Sequence, residues 1–189
     1  MKKRWSYKRL TDRMLELDKL YKENYDREYL HEDYCIAHIF ECDSLKNYET
    51  IALFCEEHNI ERVVDIGCAY GHQSEVFLQT DIDYVGLNDG ELNFWNKEHF
   101  TYFNGQYPCK LSLQKGDLGV SVLCLTWNCY LYEGKKTLIK QCEALQRDFE
   151  HCLIYVQPSH LDILSNYFKH VEHVEGHFYY FSNRRREGK

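Results

Sequence analysis

The amino-acid sequence predicts an α/β fold in which a mostly parallel sheet carries helices on both faces. Three observations carry this prediction. Short β-branched runs alternate with helical periodicity along most of the chain, a glycine-containing turn joins the first such run to a helix, and the chain closes with a hairpin pattern. Alternating strands and helices are typical of a parallel sheet, and a terminal hairpin adds an antiparallel pair at one edge. The chain of 189 residues has the length of one domain.

Helices are predicted before the first strand. Residues 7–42 place apolar and aromatic side chains at three- and four-residue steps, which puts them on one helical face. The residues on this face are Leu10, Met14, Leu17, Tyr21 and Tyr25. A second helix is predicted from Tyr48 to His58, with Asn47 as its N-cap, because an Asn side chain can accept hydrogen bonds from the first helical N–H groups. The chain is therefore expected to enter its sheet from a helical N-terminal part.

From residue 62 onward, β-branched and aromatic runs alternate with helical patterns. The predicted strands are Arg62 to Ile66, Tyr84 to Leu87, Phe100 to Phe103, Val120 to Thr126 and Cys152 to Val156, followed by a hairpin of Val171 to Val174 and His177 to Phe181. The predicted helices between them are Ser74 to Gln79, Leu92 to Lys97, Lys135 to Phe149 and Leu161 to Phe168. Ligands of such folds bind at the carboxyl ends of the strands, so the residues that follow each strand are the candidates for binding.

The charge balance and the cysteines limit the function classes. The formal net charge of -7 disfavours a protein that grips long nucleic acid with its whole surface, although short basic clusters stand at residues 2–4 and 184–186. The 9 cysteines are scattered without a Cys-x-x-Cys pair, which favours free thiols in a reducing compartment. Residues 1–12 lack the apolar core of a signal peptide, and no run reaches the roughly 18 apolar residues of a membrane span. We expect a cytoplasmic protein that makes no membrane contact.

The turn after the first predicted strand carries the functional signal. Gly67, Ala69 and Gly71 are small residues at alternate positions, and such a turn exposes backbone N–H groups to a ligand that can approach closely. The dinucleotide fingerprint Gly-x-Gly-x-x-Gly needs a small residue at position 72, where this chain has His72. The Gly-Lys-Ser/Thr ending of a phosphate-binding loop is missing from this turn as well. The spacing therefore favours a nucleoside-type cofactor over a dinucleotide or a nucleoside triphosphate.

The segment from Val63 to Gly71 resembles motif I of the class I S-adenosylmethionine-dependent methyltransferases. The resemblance is strong over about Arg62 to Asp89 and extends, by strand order alone, to about Asn183. It implies a Rossmann-like three-layer sandwich whose seven-stranded sheet ends in an antiparallel strand, with S-adenosylmethionine as the cofactor. The expected organisation is a helical extension or cap over residues 1–45, a methyltransferase-like domain over residues 46–183 and a basic tail over residues 184–189.

The same resemblance implies a set of cofactor-binding positions. They are Asp65, Gly67, Cys68, Ala69, Tyr70, Gly71, Asn88, Asp89, Gln106 and Thr126. In this scheme Asp65 organises the turn, whose small residues receive the methionine part of the cofactor. An acidic residue at the end of the second strand usually binds the ribose, and here either Asn88 or Asp89 takes that place. Gln106 stands where the family often has an Asp beside the adenine, so the neutral amides of Asn88 and Gln106 predict a weaker affinity for the cofactor.

The chemistry is expected after the fourth predicted strand, whose end faces the transferable methyl group. Residues 128–130 read Asn-Cys-Tyr there and partly resemble the Asn-Pro-Pro-Tyr type of motif in enzymes that methylate amino groups. Asn128 would orient the acceptor nitrogen, and Trp127 or Tyr130 would stack on a planar substrate. The alternative is a strand-end loop whose aromatic side chains cover the core. Methyl transfer depends largely on in-line positioning, so the missing catalytic dyad does not exclude an enzyme.

Other groups of residues give weaker signals. His31, Cys35, His38 and Cys42 share one helical face, but at 1.5 Å per residue this face spans about 16 Å, which is too long for four ligands of one metal ion. We therefore expect an amphipathic face and no metal site. Cys68 is either a reactive thiol or, as we favour, a small filler of the turn.

The sequence as a whole predicts an S-adenosylmethionine-dependent methyltransferase that acts on a small molecule or another polar substrate, with aromatic or amine-bearing compounds as candidates. Tyr29 and Tyr34 are candidates for the pocket wall, with packing at the domain surface as the alternative. A non-catalytic cofactor-binding or regulatory protein of the same fold stays open because of the neutral amides at positions 88 and 106. A nucleic-acid methyltransferase is a further alternative, which the acidic balance disfavours. An NAD-dependent enzyme is disfavoured by His72.

Overall fold

The computed structural model describes residues 44–68, 71, 73–89, 100–122, 124–125 and 134–183. The helices predicted over residues 7–42 and 92–97 lie outside the described residues. Most of the predicted N-terminal extension and the whole predicted basic tail also lie outside them.

The described strands form one seven-stranded sheet in the order β3-β2-β1-β4-β5-β7-β6. The strands are Arg62–Ile66 (β1), Asp83–Asn88 (β2), Thr101–Asn104 (β3), Leu118–Ser121 (β4), His151–Tyr155 (β5), His170–Glu175 (β6) and Phe178–Ser182 (β7). Strands β1 to β5 pair in parallel, whereas β7 runs antiparallel to both β5 and β6. The mostly parallel sheet with an antiparallel C-terminal hairpin, predicted from the sequence, is therefore confirmed.

Helices cover both faces of this sheet. They are Ser44–His58 (α1), Ser74–Phe77 (α2), Lys135–Asp148 (α3) and Leu161–Ser165 (α4), the last preceded by the short 3-10 helix Pro158–His160. One core cluster combines side chains of α1 and α2 with one face of the sheet, and the other cluster combines α3 and α4 with the opposite face. In α3, Leu138, Cys142 and Leu145 are buried at four- and three-residue steps, as the sequence pattern predicts. The result is the expected three-layer sandwich.

Helix α2 ends at Phe77, two residues before the predicted end, and α3 ends at Asp148, one residue before it. Two further helix boundaries differ from the prediction by three residues or more. Helix α1 begins at Ser44 and not at Tyr48, so the prediction of Asn47 as an N-cap is wrong, and this residue lies inside the helix. Ser44, Leu45 and Lys46 include no Gly or Pro that would stop the helix from extending upstream. Helix α4 ends at Ser165, three residues before the predicted end.

The fourth strand also differs from its prediction, in a way that concerns the site. It was expected over Val120 to Thr126, but β4 spans Leu118–Ser121. The Ser121 hydroxyl donates to the carbonyl of Ile66 at 3.0 Å and accepts from the backbone N–H of Leu125 at 3.3 Å. This bond to Leu125 closes a turn, so the apolar run after Ser121 leaves the sheet. The predicted catalytic segment consequently begins beyond a turn and does not follow the strand directly.

Candidate cofactor site

The turn after β1 is held against β2 by its own backbone. The N–H groups of Gly67 and Cys68 both donate to the carbonyl of Leu87, at 2.8 and 3.0 Å. Gly67 has a φ of 84° and Gly71 a φ of 74°, in the left-handed region that side chains disfavour. A side chain would also collide, at Gly67 with Cys124 and at Gly71 with the ring of Phe100. Glycine at positions 67 and 71 is therefore required by the shape of the turn.

Asp65 is completely buried at the start of this turn and accepts three hydrogen bonds on one oxygen. Its Oδ2 accepts from the hydroxyl of Tyr48 at 2.8 Å, the hydroxyl of Tyr84 at 2.5 Å and the side-chain amide of Gln73 at 2.8 Å. The other oxygen, Oδ1, is buried and has no hydrogen-bond partner among the described residues. Buried polar atoms are usually paired, so this oxygen marks a place where a donor from outside the described residues fits.

Burial and hydrogen bonds set the ionisation of Asp65 and of the two tyrosines that donate to it. Burial raises the pKa of Asp65, while the hydrogen bonds from Tyr84, Gln73 and Tyr48 act in the opposite direction. Burial, and then the negative charge of Asp65, raise the pKa of Tyr48 and that of Tyr84 well above the ordinary tyrosine value. Both hydroxyls therefore keep their protons at neutral pH and act as donors to the carboxyl group.

Gln73, which follows the turn, bonds back to the residues at its beginning. Its Nε2 atom donates to the carbonyl of Cys68 at 2.7 Å, in addition to Asp65. The same carbonyl accepts from the N–H of Gly71 at 2.9 Å, and the carbonyl of Gly71 accepts from the N–H of Ser74 at 3.0 Å. The side-chain amide of Gln73 thus bonds to Asp65, which lies eight positions earlier in the chain.

A row of aromatic rings supports the turn from the side of α1. Tyr48 meets Phe77 edge-on at 6.3 Å between ring centroids, Phe77 stacks on Tyr84 at 4.9 Å, and Tyr84 meets Phe100 edge-on at 5.5 Å. Such arrangements agree with the preferred geometries of aromatic pairs. Since Phe100 also fills the space beside Gly71, the row extends from the buried carboxyl group to the far end of the turn.

A cleft opens at the carboxyl ends of the first four strands, beside this turn. It is lined by Ile66, Gly67, Leu87, Asn88, Asp89, Gly105, Gln106, Tyr107, Cys124 and Gln141. Strand β1 lies between β2 and β4, which is the point where the order of an open α/β sheet reverses and where ligands of such sheets bind. Four of the predicted cofactor positions, namely Gly67, Asn88, Asp89 and Gln106, meet in this one cleft.

The remaining predicted positions divide into two groups. Asp65 and Cys68 are fully buried beneath the turn, and Gly71 is buried at its end. Ala69, Tyr70, Thr126, Trp127, Asn128 and Tyr130 lie outside the described residues.

The ends of β2 and β3 hold the predicted ribose position in place. The carbonyl of Asn88 accepts from the hydroxyl of Tyr102 at 3.1 Å and from the N–H of Gly105 at 2.9 Å. The side-chain amide of Asn88 donates to the carbonyl of Asp89 at 2.9 Å. Asn88 is half-buried and Asp89 is exposed, so both side chains border the cleft.

Sequence reasoning missed several residues of this site. Tyr48, Gln73 and Tyr84 bind Asp65, and Cys124 and Gln141 line the cleft. One signal was available, because Tyr84 pairs with Val63 in the sheet register and side chains two positions apart share a face. A buried carboxyl group in a central strand needs donors, and a tyrosine on the same face of the next strand supplies one.

The structure bears on one alternative chemistry, a reactive thiol at Cys68. Burial raises the pKa of the Cys68 thiol, which favours its role as a small filler over that of a reactive nucleophile. The described residues contain no group of three or more His, Cys, Asp or Glu side chains that could hold a metal ion, and the predicted His/Cys face lies outside them. None of the described helices is long and apolar enough to cross a membrane.

Comparisons with known proteins identify the fold. No family model matches the sequence, and no curated protein matches it significantly. Among solved structures, a TehB-like S-adenosylmethionine-dependent methyltransferase from Corynebacterium glutamicum is similar with a TM-score of 0.55 and 12% identity, over 95% of this chain and 100% of that one. The plantazolicin methyltransferase BpumL, solved with S-adenosylhomocysteine and a monoazolic substrate analogue, has a TM-score of 0.51 and 15% identity, over 85% and 67%.

Monomeric WbdD is similar as well, with a TM-score of 0.55 and 16% identity over 74% of this chain. The chain spans only 40% of the length of WbdD. At identities this low, the likeness shows the fold that the chains share.

Proposed function

We propose that this chain, which has the fold of the class I S-adenosylmethionine-dependent methyltransferases, is itself such an enzyme. One observation carries the proposal. Gly67, Asn88, Asp89 and Gln106 were predicted from three separate strand ends as parts of one cofactor site, and they line a single cleft at the carboxyl edge of the sheet. A fold that serves many functions does not by itself specify this arrangement of residues.

The cleft fits S-adenosylmethionine in its polar groups. The amino-acid end of the cofactor would rest on the turn at Gly67, which lines the cleft, and the buried Asp65 lies beneath this turn. Asn88 and Asp89 present an amide and a carboxylate for the ribose hydroxyls. Gln106 presents an amide for the adenine amino group.

The residues of the chain act by binding and orienting. S-adenosylmethionine supplies an electrophilic methyl group when it is bound. Gly67 and Gly71 shape the turn against which the amino-acid end rests, and Asp89 or Asn88 fixes the ribose. Asn128 would orient the methyl acceptor, with Trp127 or Tyr130 stacked on it, so that the acceptor approaches in line with the methyl group.

The proposed acceptor is a small molecule or another polar compound, aromatic or amine-bearing. The methyltransferase BpumL, which shares this fold, was solved with a monoazolic desmethylPZN analogue, and this supports a small aromatic acceptor for the present chain. The net charge of -7 argues against a long nucleic acid as the partner. We place the protein in the cytoplasm, because scattered cysteines without a Cys-x-x-Cys pair favour a reducing compartment.

A second candidate is a cofactor-binding regulatory protein that transfers no methyl group. The observation in its favour is the pair of neutral amides, Asn88 and Gln106, at positions where the family often has carboxylates. Binding without turnover on a broad panel of small-molecule acceptors would support this candidate over the enzyme.

Calorimetry with S-adenosylmethionine, S-adenosylhomocysteine and NAD tests the proposal on the full chain. We expect both sulfur-containing ligands to bind and NAD not to bind. An absence of binding to both sulfur-containing ligands would refute the proposal. An Asn128→Ala variant then tests the catalytic assignment on an identified substrate, because unchanged methyl transfer would exclude Asn128 as a positioning group.

A further inference from the structure

The hydrogen bonds of Asp65 connect the turn to a helix that precedes the sheet. Tyr48 lies on α1, 17 positions before Asp65, and its hydroxyl is 2.8 Å from Oδ2. Gln73 lies just after the turn and bonds to Asp65, to the Cys68 carbonyl and to the Tyr48 hydroxyl, the last at 3.3 Å. The beginning of the turn is therefore held from two sides, by α1 and by the residue that follows the turn.

We propose that Tyr48 and Gln73 are positioning residues of the cofactor turn. They hold the Asp65 carboxyl group and the Cys68 carbonyl in the geometry that receives the amino-acid end of the cofactor. This inference rests on the proposed function, since it concerns the same site. Tyr48, Gln73 and Asp65 do not line the cleft, so their action passes to it through the backbone of the turn, where Gly67 is a lining residue.

The orientation of the carboxyl group is the first argument. Tyr48, Tyr84 and Gln73 all donate to Oδ2, so the three bonds fix which oxygen faces the protein. Oδ1 is left without a described partner as a result. If only Tyr84 donated, the plane of the carboxyl group could tilt about this single bond, and the second oxygen would no longer have one position.

The shape of the turn is the second argument. The Cys68 carbonyl accepts from Gln73 and from the N–H of Gly71, so Gln73 holds the acceptor that ties Cys68 to Gly71. The Gln73 side chain is 9% exposed and Tyr48 is 4% exposed, so water does not readily replace these bonds. Phe77 packs against the Tyr48 ring and keeps the hydroxyl directed at Asp65.

The test compares two ligands that differ in one part. S-adenosylhomocysteine has the adenosine and the amino-acid end, whereas 5′-methylthioadenosine has the adenosine without the amino acid. Calorimetry on the full chain would measure both affinities for wild type, Tyr48→Phe and Gln73→Met. We expect each variant to bind S-adenosylhomocysteine about tenfold more weakly, which corresponds to about 1.4 kcal/mol. The affinity for 5′-methylthioadenosine should stay at the wild-type value.

Tyr180→Phe is the matched control. Tyr180 is buried in the same core cluster, and its hydroxyl bonds to the His151 ring at 2.6 Å, on β7 and away from the turn. Removing this hydroxyl should change the melting temperature and leave both affinities unchanged. The melting temperature of each variant, measured without ligand, verifies that it is folded.

The outcomes separate this inference from the function on which it rests. If wild type binds neither ligand, the proposed function fails. If wild type binds both and the two variants lose both affinities equally, or lose neither, the positioning role is overturned and the proposed function remains. A selective loss of affinity for S-adenosylhomocysteine supports the inference.

Discussion

Strand β1 carries an ionisable side chain near each end, and the two are stabilised in different ways. At the amino end, Arg62 forms ion pairs with Asp83 at 3.3 Å and with Asp117 at 3.0 Å. At the carboxyl end, Asp65 is fully buried, and the three groups that donate to it are two hydroxyls and one amide, none of which is charged. Opposite charges stabilise the first residue, and neutral donors hold the second.

The difference shows which edge of the sheet is built for stability. Arg62 also donates to the carbonyl of Ser112 at 3.5 Å, and Asp117 accepts from the N–H of Gln114 at 2.7 Å, so this edge is tied to the loop before β4. Arg62 Nε has no hydrogen-bond partner among the described residues, but it lies 3.3 Å from the Asp83 carboxylate. At the carboxyl edge, one buried oxygen of Asp65 is also without a described partner, and the groups that donate to its other oxygen carry no charge. Binding sites often retain such costly groups because a ligand satisfies them, at the expense of stability in the free protein.

The same substitution at the two ends should have opposite effects. In Asp65→Asn, the amide oxygen can still accept the three donors, but an NH₂ group replaces the partnerless oxygen. We expect the affinity for S-adenosylhomocysteine to fall about 100-fold, or about 2.7 kcal/mol, with stability at neutral pH equal to or above wild type. Asp117→Asn should keep the affinity and lower the free energy of unfolding by about 2 kcal/mol.

Calorimetry and urea denaturation of both variants provide the two readouts. The comparison would break if Asp65→Asn bound the ligand as tightly as wild type. The comparison would also fail if both variants lost affinity for the ligand to the same extent, because the two edges of the sheet would then not differ in their contribution to binding.

The sequence predicted the fold better than it predicted the site, and the reason lies in the range of the interactions. Strand and helix patterns are local, so six of the seven strands were placed to within about two residues, which is the accuracy such patterns allow. Strand β4 was the exception, because the hydroxyl of Ser121 closes a turn that no apolar periodicity reveals. The prediction of Asn47 as an N-cap failed for a related reason. Several residues near a helix start can serve as a cap, and the sequence pattern does not show which of them does.

The site residues show the same division. Gly67 and Gly71 were found because their φ values leave a local signature in the sequence. The bonds of Tyr48 and Gln73 to Asp65 were not found, because they depend on how α1 and the turn pack over the sheet. A long-range contact of this kind has no periodicity, and one sequence alone does not show which of 16 tyrosines bonds to a given carboxyl group.

The charged pair at the amino end can be isolated with a double-mutant cycle. Arg62→Met removes the charge and keeps an apolar stem, and we expect a loss of about 2 kcal/mol of stability because Asp117 is left buried without its partner. In the double variant Arg62→Met/Asp117→Asn, the loss in free energy of unfolding should be about 1 kcal/mol smaller than the sum of the losses in the two single variants. Additive losses in urea denaturation would show that the ion pair contributes nothing measurable to stability. The claim that opposite charges stabilise the amino end of β1 would then be wrong.

The smallest expected effect is a pH dependence that belongs to Asp65 alone. Burial raises its folded-state pKa above the ordinary value of 3.8, so the folded state binds a proton at a higher pH than the unfolded state. Stability from this group is therefore fully present below 3.8 and is lost as pH rises through the folded-state pKa, by about 1.4 kcal/mol for each unit of the shift. Asp65→Asn does not titrate, so its stability advantage over wild type should grow as pH rises through that range.

Urea denaturation of wild type and Asp65→Asn across this pH range measures the difference directly, with Asp117→Asn as the control for the general effect of pH on the fold. An advantage of Asp65→Asn that stayed constant, or that shrank as pH rose, would contradict the assignment. It would mean that the three neutral donors outweigh burial and keep the carboxylate as stable in the folded protein as in water. Asp65 would then resemble Asp117, a carboxylate whose burial is compensated by partners within the folded protein, and no unfavourable free energy would remain for a ligand to relieve.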